Sequence, residues 1–210
     1  MRFSTRPALA LALACGTCLP ALSHAGGILD LDHRVALDQR GVWSRSNQLL
    51  LQYGVIATEI GGGLWFGRDD PLGDAFWRSV DASVTSALAA QGLKWLGGRE
   101  RPSETASPDA WHRGQSSQSF PSGEVTLQAA FVTPLIVRYG DSTPAVWALE
   151  ALPLYDAIAR VKSQAHWQSD VLAGWALGTG FGYWTATRGG APISVQILPK
   201  GLTVAWRQTF

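Results

Sequence analysis

The chain has 210 residues, 46% of them hydrophobic and only 16% charged, with a formal net charge of +1. That composition describes one domain able to bury a core, and it excludes a disordered chain. So even a charge balance offers nothing for a nucleic acid to grip.

Residues 1–25 stand apart. Arg2 and Arg6 precede an apolar run from Ala8 to Ala14, and Ser23-His24-Ala25 forms an A-x-A-like cleavage site before Gly26-Gly27. This predicts a secretory signal and a periplasmic destination. A lipoprotein site at Cys15 is the competing reading, weakened by Ala12 where such sites usually carry leucine. Both cysteines, Cys15 and Cys18, fall inside the segment, so cleavage leaves no thiol, disulfide or cysteine-based zinc site. Taking Arg2 and Arg6 from 17 basic residues leaves 15 against 16 acidic ones, a net charge of −1.

From Gly26 to Ser46 short apolar and charged stretches alternate, which reads as a surface-hugging arm. A first helix is expected over Asn47–Gly61, stopped by three glycines. Asp74 can cap a second helix reaching about Leu96, on which Val80, Val84, Ala87, Gln91 and Lys94 share a stripe that turns Lys94 inward. The loop from Gly97 to Phe120 is long enough to suspect function. A helix from Ser122 to about Tyr139 follows, with a kink expected at Pro134, and another runs from Pro144 to Arg160.

The last helical pattern runs on from Gln164 to Ala186, with Ser169 or a neighbour as the alternative start, and Gly174, Gly178 and Gly182 form a ridge on it for close packing. Beyond Gly190 the period changes to two: Ile193, Val195 and Ile197, then Leu202, Val204 and Trp206, predict a C-terminal β-hairpin. The expected fold class is therefore an all-α bundle over residues 26–188 with a hairpin appended over 189–210. No clean apolar run of about 20 residues follows the signal, because Glu59, Asp81, Glu150 and Asp156 interrupt the best candidates. A domain outside the cytoplasm is favoured, with membrane-surface association left open.

Three clusters carry chemistry. "KWLGGRERP" holds Lys94 and Arg101, "PSGE" holds Ser122, Gly123 and Glu124, and "ARVKSQAHWQSD" holds Arg160, His166 and Asp170. Singly, each has a bland reading as surface charge, helix cap or paired histidine. Together they make a phosphate site. Lys94, Arg101 and Arg160 supply cations for the phosphoryl oxygens, and Ser122 and the Gly123 N–H add donors at a helix start. His166 is the candidate nucleophile, with Asp170 four residues on, expected on the same helical face and accepting a hydrogen bond from its second ring nitrogen.

Lys-x6-Arg-Pro, Pro-Ser-Gly-x and Arg-x5-His-x3-Asp, in this order, resemble the signature of the type 2 phosphatidic acid phosphatase superfamily. That superfamily includes lipid phosphate phosphatases, bacterial acid phosphatases and vanadium haloperoxidases, and the resemblance covers about Asp74 to Ala186. It implies a helical bundle with its site at helix ends, a phosphorylated small molecule or lipid as substrate, a phosphohistidine intermediate and no metal or other cofactor for the phosphatases. The chain is short for a haloperoxidase. Ala159 stands where the third motif usually has serine, and Glu124 where the second has the histidine that protonates the leaving oxygen.

Glu124 can replace that acid only if its pKa is raised. Burial raises it and three cations lower it. Three routes keep turnover open: an acidic working pH, a pyrophosphate substrate whose leaving group needs little protonation, or His112 folding over the site. The reading of another class is a catalytically weak phosphate- or phospholipid-binding protein on the same frame. Trp95, Trp111 and Trp167, in or near the motifs, hint at an apolar substrate tail.

Overall fold

The computed structural model describes residues 26–189 throughout and, as backbone, 193–198 and 201–206. The expected signal segment, with Cys15 and Cys18, lies outside the described residues. Five helices form an all-α bundle: α1 (Arg45–Phe66), α2 (Pro71–Gly97), α3 (Gly123–Tyr139), α4 (Ala151–Lys162) and α5 (Gln168–Thr187). Further on, the backbone of β1 (Ile193–Leu198) pairs antiparallel with β2 (Gly201–Trp206), with Val195 opposite Val204.

The central helix is α3. From Val125 to Ile136 only Leu127 escapes full burial, as expected of a helix enclosed by others and apolar nearly all round. Phe131, Val132, Leu135 and Ile136 pack with Val55 of α1 and Ala75 of α2, and Val125 packs with Ala157 of α4 and Val171 of α5. The helix continues through Pro134.

Glycine decides how closely these helices approach. A methyl group on Gly178 would strike the Thr126 carbonyl oxygen, and one on Gly182 would lie 2.6 Å from Thr133 Cβ, so the ridge on α5 lies against α3. The same reason corrects the expected end of α1. It runs through Gly61-Gly62-Gly63, because the latter two lie directly under the rings of Phe76 and Trp77 of α2; a methyl on Gly63 would sit 2.9 Å from the indole. These glycines are helix contacts, not a stop.

Other boundaries move for local reasons. Asp70, not Asp74, caps α2, accepting from the Leu72 and Gly73 N–H groups, and Pro71 takes the first helical position. Asp74 instead pairs with Arg78 one turn on. The inward face of α2 is built of small residues, Ser83, Ser86 and Ala90, leading to Lys94, whereas Val84 and Leu88 point outward. The stretch expected as one helix from Pro144 is a 3-10 turn, Pro144–Glu150, followed by α4. Pro153, which lacks an N–H, falls in the first turn of α4, where no bond is lost.

The expected continuity from Gln164 is broken as well. A turn at 163–167 precedes α5, so His166 lies outside the helix that carries Asp170. The N-terminal arm is pinned across this turn, with the Asp38 N–H on the Lys162 carbonyl, Gln39 on Ser163, Gln164 on Val35 and the His33 N–H on Gln168. Among the described residues, no helix is long and apolar enough to cross a membrane.

Candidate functional site

The last turns of α2 and α4 and the first turns of α1, α3 and α5 bring the motif residues together. Lys94 comes from α2, Ser122 immediately precedes α3 with Gly123 and Glu124 in its first turn, Arg160 lies in the last turn of α4, His166 sits in the following turn and Asp170 lies in the first turn of α5. The loop between α2 and α3 returns Arg101 and Ser119 to the same end, stitched by the bonds Glu100 N to Ala110 O, His112 N to Gly97 O and Ser119 N to Arg99 O.

His166 is buried, and its Nδ1 lies 2.6 Å from the Ser119 carbonyl oxygen. A carbonyl only accepts, so Nδ1 carries the proton and Nε2 holds the free lone pair of the neutral ring. Burial lowers the ring pKa to about 4; the charge of Asp170 opposes this, and Arg160 and Lys94 reinforce it.

The expected bond from His166 to Asp170 is not made: Nδ1 and Oδ2 are 3.8 Å apart. The carboxylate is occupied elsewhere. Its Oδ2 accepts from Ser119 Oγ at 2.5 Å and the Trp167 N–H at 2.8 Å, capping α5, and its Oδ1 from Arg99 at 2.6 Å. Asp170 thus positions Ser119, whose carbonyl holds the histidine. Although burial alone would raise its pKa, His166, Arg99 and Ser119 hold it below the ordinary carboxylate value.

Arg99 is the residue the motif reading passed over, although it lies between Lys94 and Arg101. Its fully buried guanidinium bridges Asp170 and Asp32 of the arm, each at 2.6 Å, and also donates to Ser169 Oγ and the Pro108 carbonyl. It lies 4.6 Å from the Trp111 ring centre and 5.6 Å from that of Trp167. Two of the three tryptophans expected near a substrate tail therefore enclose this ion cluster; Trp95 alone is largely exposed. Asp32 carried no signal beyond being an acid in an irregular arm.

The cations are unequally engaged. Lys94 Nζ donates to the Gln118 and Pro121 carbonyls at 2.8 and 2.7 Å, and burial, with Arg101 and Arg160 nearby, lowers its pKa to about 8. A methyl on Gly123 would lie 3.8 Å from Lys94 Cε, which sets the start of α3 beside the lysine. Arg160 Nη1 donates to Gln48 at 2.9 Å, while its buried Nε has no partner among the described residues. Ser122 Oγ is likewise buried and unpartnered, and it does not cap α3. Arg101 opens onto a cleft of about 330 Å³ shared with Arg45, Gln48, Arg160 and Ser103. Two donors assigned to phosphate from the sequence are thus buried and unused by the protein itself.

Glu124 is the main correction. Its Oε2 accepts from Arg45 Nη1 at 2.7 Å and its Oε1 lies 3.5 Å from Arg160 Nη1. Burial pushes its pKa up, but Arg45, Arg160 and His166 together pull it below the ordinary value, so near neutral pH the residue is held as a carboxylate. His112 does not take over. It is exposed, with a left-handed backbone (φ 57), and its ring bonds no site residue among those described. One turn before Arg160, Asp156 is fully buried with neither oxygen hydrogen-bonded, and burial, helped by Glu124, raises its pKa to about 7. No group of three or more His, Cys, Asp or Glu side chains among the described residues could hold a metal ion.

Comparison with curated proteins found no match, and neither did comparison with solved structures. A family model described as PAP2 superfamily matches residues 77–190, from the second turn of α2 to just past α5. The matched stretch takes in every motif residue above and leaves out Asp32, Arg45 and Gln48, which the arm and α1 add to the site. With more than half its length matched and the three motifs joined at one end of an all-α bundle, the chain belongs to the PAP2 superfamily, a membership that suggests phosphatase-type activity.

Proposed function

We propose that this protein is a phosphatase that cleaves a phosphate monoester or pyrophosphate through a phosphohistidine intermediate. The observation that carries the reading is the state of His166: a neutral ring with Nδ1–H spent on Ser119 and a lone pair on Nε2. In this reading Lys94, Arg101 and Arg160, with Ser122 Oγ and the Gly123 N–H, hold the phosphoryl oxygens. Nε2 attacks phosphorus as the bond to the leaving oxygen breaks. The ring then carries a positive charge, favoured by ionised Asp170 nearby, and water takes the phosphoryl group in a second step.

One observation favours a second reading. With Glu124 ionised, an alkoxide leaving group has no acid, which typically costs about 10²- to 10⁴-fold in rate; a catalytically weak phosphate- or phospholipid-binding protein is then what remains. The substrate is a phosphorylated small molecule or lipid, met after export to the periplasm. Exposed Leu50, Tyr53, Ile60 and Trp65 on α1, with Leu88, Trp95 and Leu96 on α2, support association with a membrane surface.

The test is phosphate release from an aryl phosphate between pH 4 and pH 8 by the wild type and His166→Ala. Release that requires His166 supports the phosphatase. No release at any pH, with vanadate or phosphate still bound, leaves the binding protein.

A further inference from the structure

We infer that the cleft lined by Arg45, Arg101 and Arg160 is a subsite for the second phosphate of a diphosphate, with Arg45 as its cation and Glu124 as the tether that holds Arg45 there. The inference rests on the phosphatase reading and names its substrate class. Arg45 opens α1, upstream of the stretch that the family model matches.

The geometry is that of a bridge. One oxygen of Glu124 takes Arg45 Nη1 at 2.7 Å and the other faces Arg160 Nη1 at 3.5 Å, while Gln48 accepts from both guanidiniums, at 3.3 Å from Arg45 and 2.9 Å from Arg160. Beside this bridge lies the cleft of about 330 Å³, within the range of small-ligand sites. Arg45, Arg101 and Arg160 line it and no carboxylate does. Arg160 Nε is buried and unpartnered, and Arg101 has no ion pair among the described residues. Two guanidinium forks and Lys94 suffice for one phosphoryl group; Arg45 spends Nη1 on Glu124 and Gln48 and still lines the cleft, where its remaining N–H groups can meet a further anion.

The same arrangement explains why a carboxylate is tolerated where an acid would be expected. His166 Nε2 forms a bond to the terminal phosphorus while the bond from that phosphorus to the bridging oxygen breaks. The electron pair leaves with the bridging oxygen, which becomes a third terminal oxygen of the inner phosphate. That group needs no proton, because its new charge is shared among its oxygens and met by Arg45. Water then attacks the phosphohistidine. Its oxygen and both protons leave as dihydrogen phosphate, and the N–P electron pair returns to Nε2.

The experiment measures binding and turnover side by side. Calorimetry with methylenediphosphonate and with inorganic phosphate is run on the wild type, Arg45→Ala and Arg45→Lys, with circular dichroism as the check on folding. The wild type should bind the diphosphonate at least about tenfold more tightly than phosphate. Arg45→Ala should weaken the diphosphonate by about 10- to 100-fold and phosphate much less, and Arg45→Lys should recover part of the loss. Equal affinity for the two ligands in the wild type, or an equal loss of both in Arg45→Ala, overturns the subsite.

Methyl and dodecyl diphosphate are the substrates. Equal turnover assigns a soluble diphosphate and faster turnover of the dodecyl ester a lipid-borne one, and both support the subsite. Arg45-dependent binding of diphosphonate without His166-dependent release from either ester removes the phosphatase reading and leaves the subsite as a binding site.

Discussion

The state of His166 gives the most direct test of the site. An ordinary histidine with a pKa of 6.5 is about 3% neutral at pH 5, whereas one lowered to about 4 is about 90% neutral, roughly a 30-fold difference in available nucleophile. The cause is burial, strengthened by Arg160 and Lys94 and only partly offset by Asp170. In the free protein the His166 ring resonances, assigned by their loss in His166→Ala, should stay at their neutral positions from pH 8 down to about 5 and move only near pH 4. The rate constant kcat/KM for an aryl phosphate, with the substrate's own ionisation divided out, should follow. It should fall on the acid side near pH 4 and on the alkaline side as Lys94, lowered to about 8, loses its charge. A midpoint of 6 or higher for His166 would refute the reasoning, because it would mean that burial with Arg160 and Lys94 does not outweigh Asp170.

Three further outcomes are expected. Asp32→Ala leaves Arg99 Nη2 and both donors of Ser169 short of an acceptor in a fully buried cluster, so urea unfolding should show a loss of about 3–5 kcal/mol; a change under 1 kcal/mol would mean that the arm does not hold Arg99. Glu59, buried against Ser83, is raised from 4.5 to about 7, so its contribution to stability declines as pH rises through that window and is lost above it. Glu59→Gln should therefore gain about 3 kcal/mol relative to wild type at pH 8 and nothing at pH 4, read from Tm against pH. Gly178→Ala drives a methyl into the Thr126 carbonyl and should destabilise by several kcal/mol, on the order of an overpacked core, whereas Gly180→Ala, with open space around it, should not.

Much of this site was legible because its chemistry lies in short motifs. Seven residues, Lys94, Arg101, Ser122, Gly123, Arg160, His166 and Asp170, are picked out by three ordered motifs and their family resemblance, and the fold gathers them because each lies at a helix end or in the turn beside it. Periodicity also determined the glycine ridge of α5, because it depends only on which residues share a helical face, whereas Lys94 follows the face of Ser83, Ser86 and Ala90 and not the expected stripe, whose Val84 and Ala87 are exposed. The tertiary structure alone decided the charge of Glu124. Its pKa is a balance between burial and cations, and the nearest cation, Arg45, is 79 residues away in the chain. It also decided that a backbone carbonyl, not Asp170, holds His166, and that Arg99 ties Asp32, 67 residues before it, to Asp170, 71 residues after it. Hydrogen-bond partners and electrostatic fields depend on distance in space, and no spacing along a chain contains that distance.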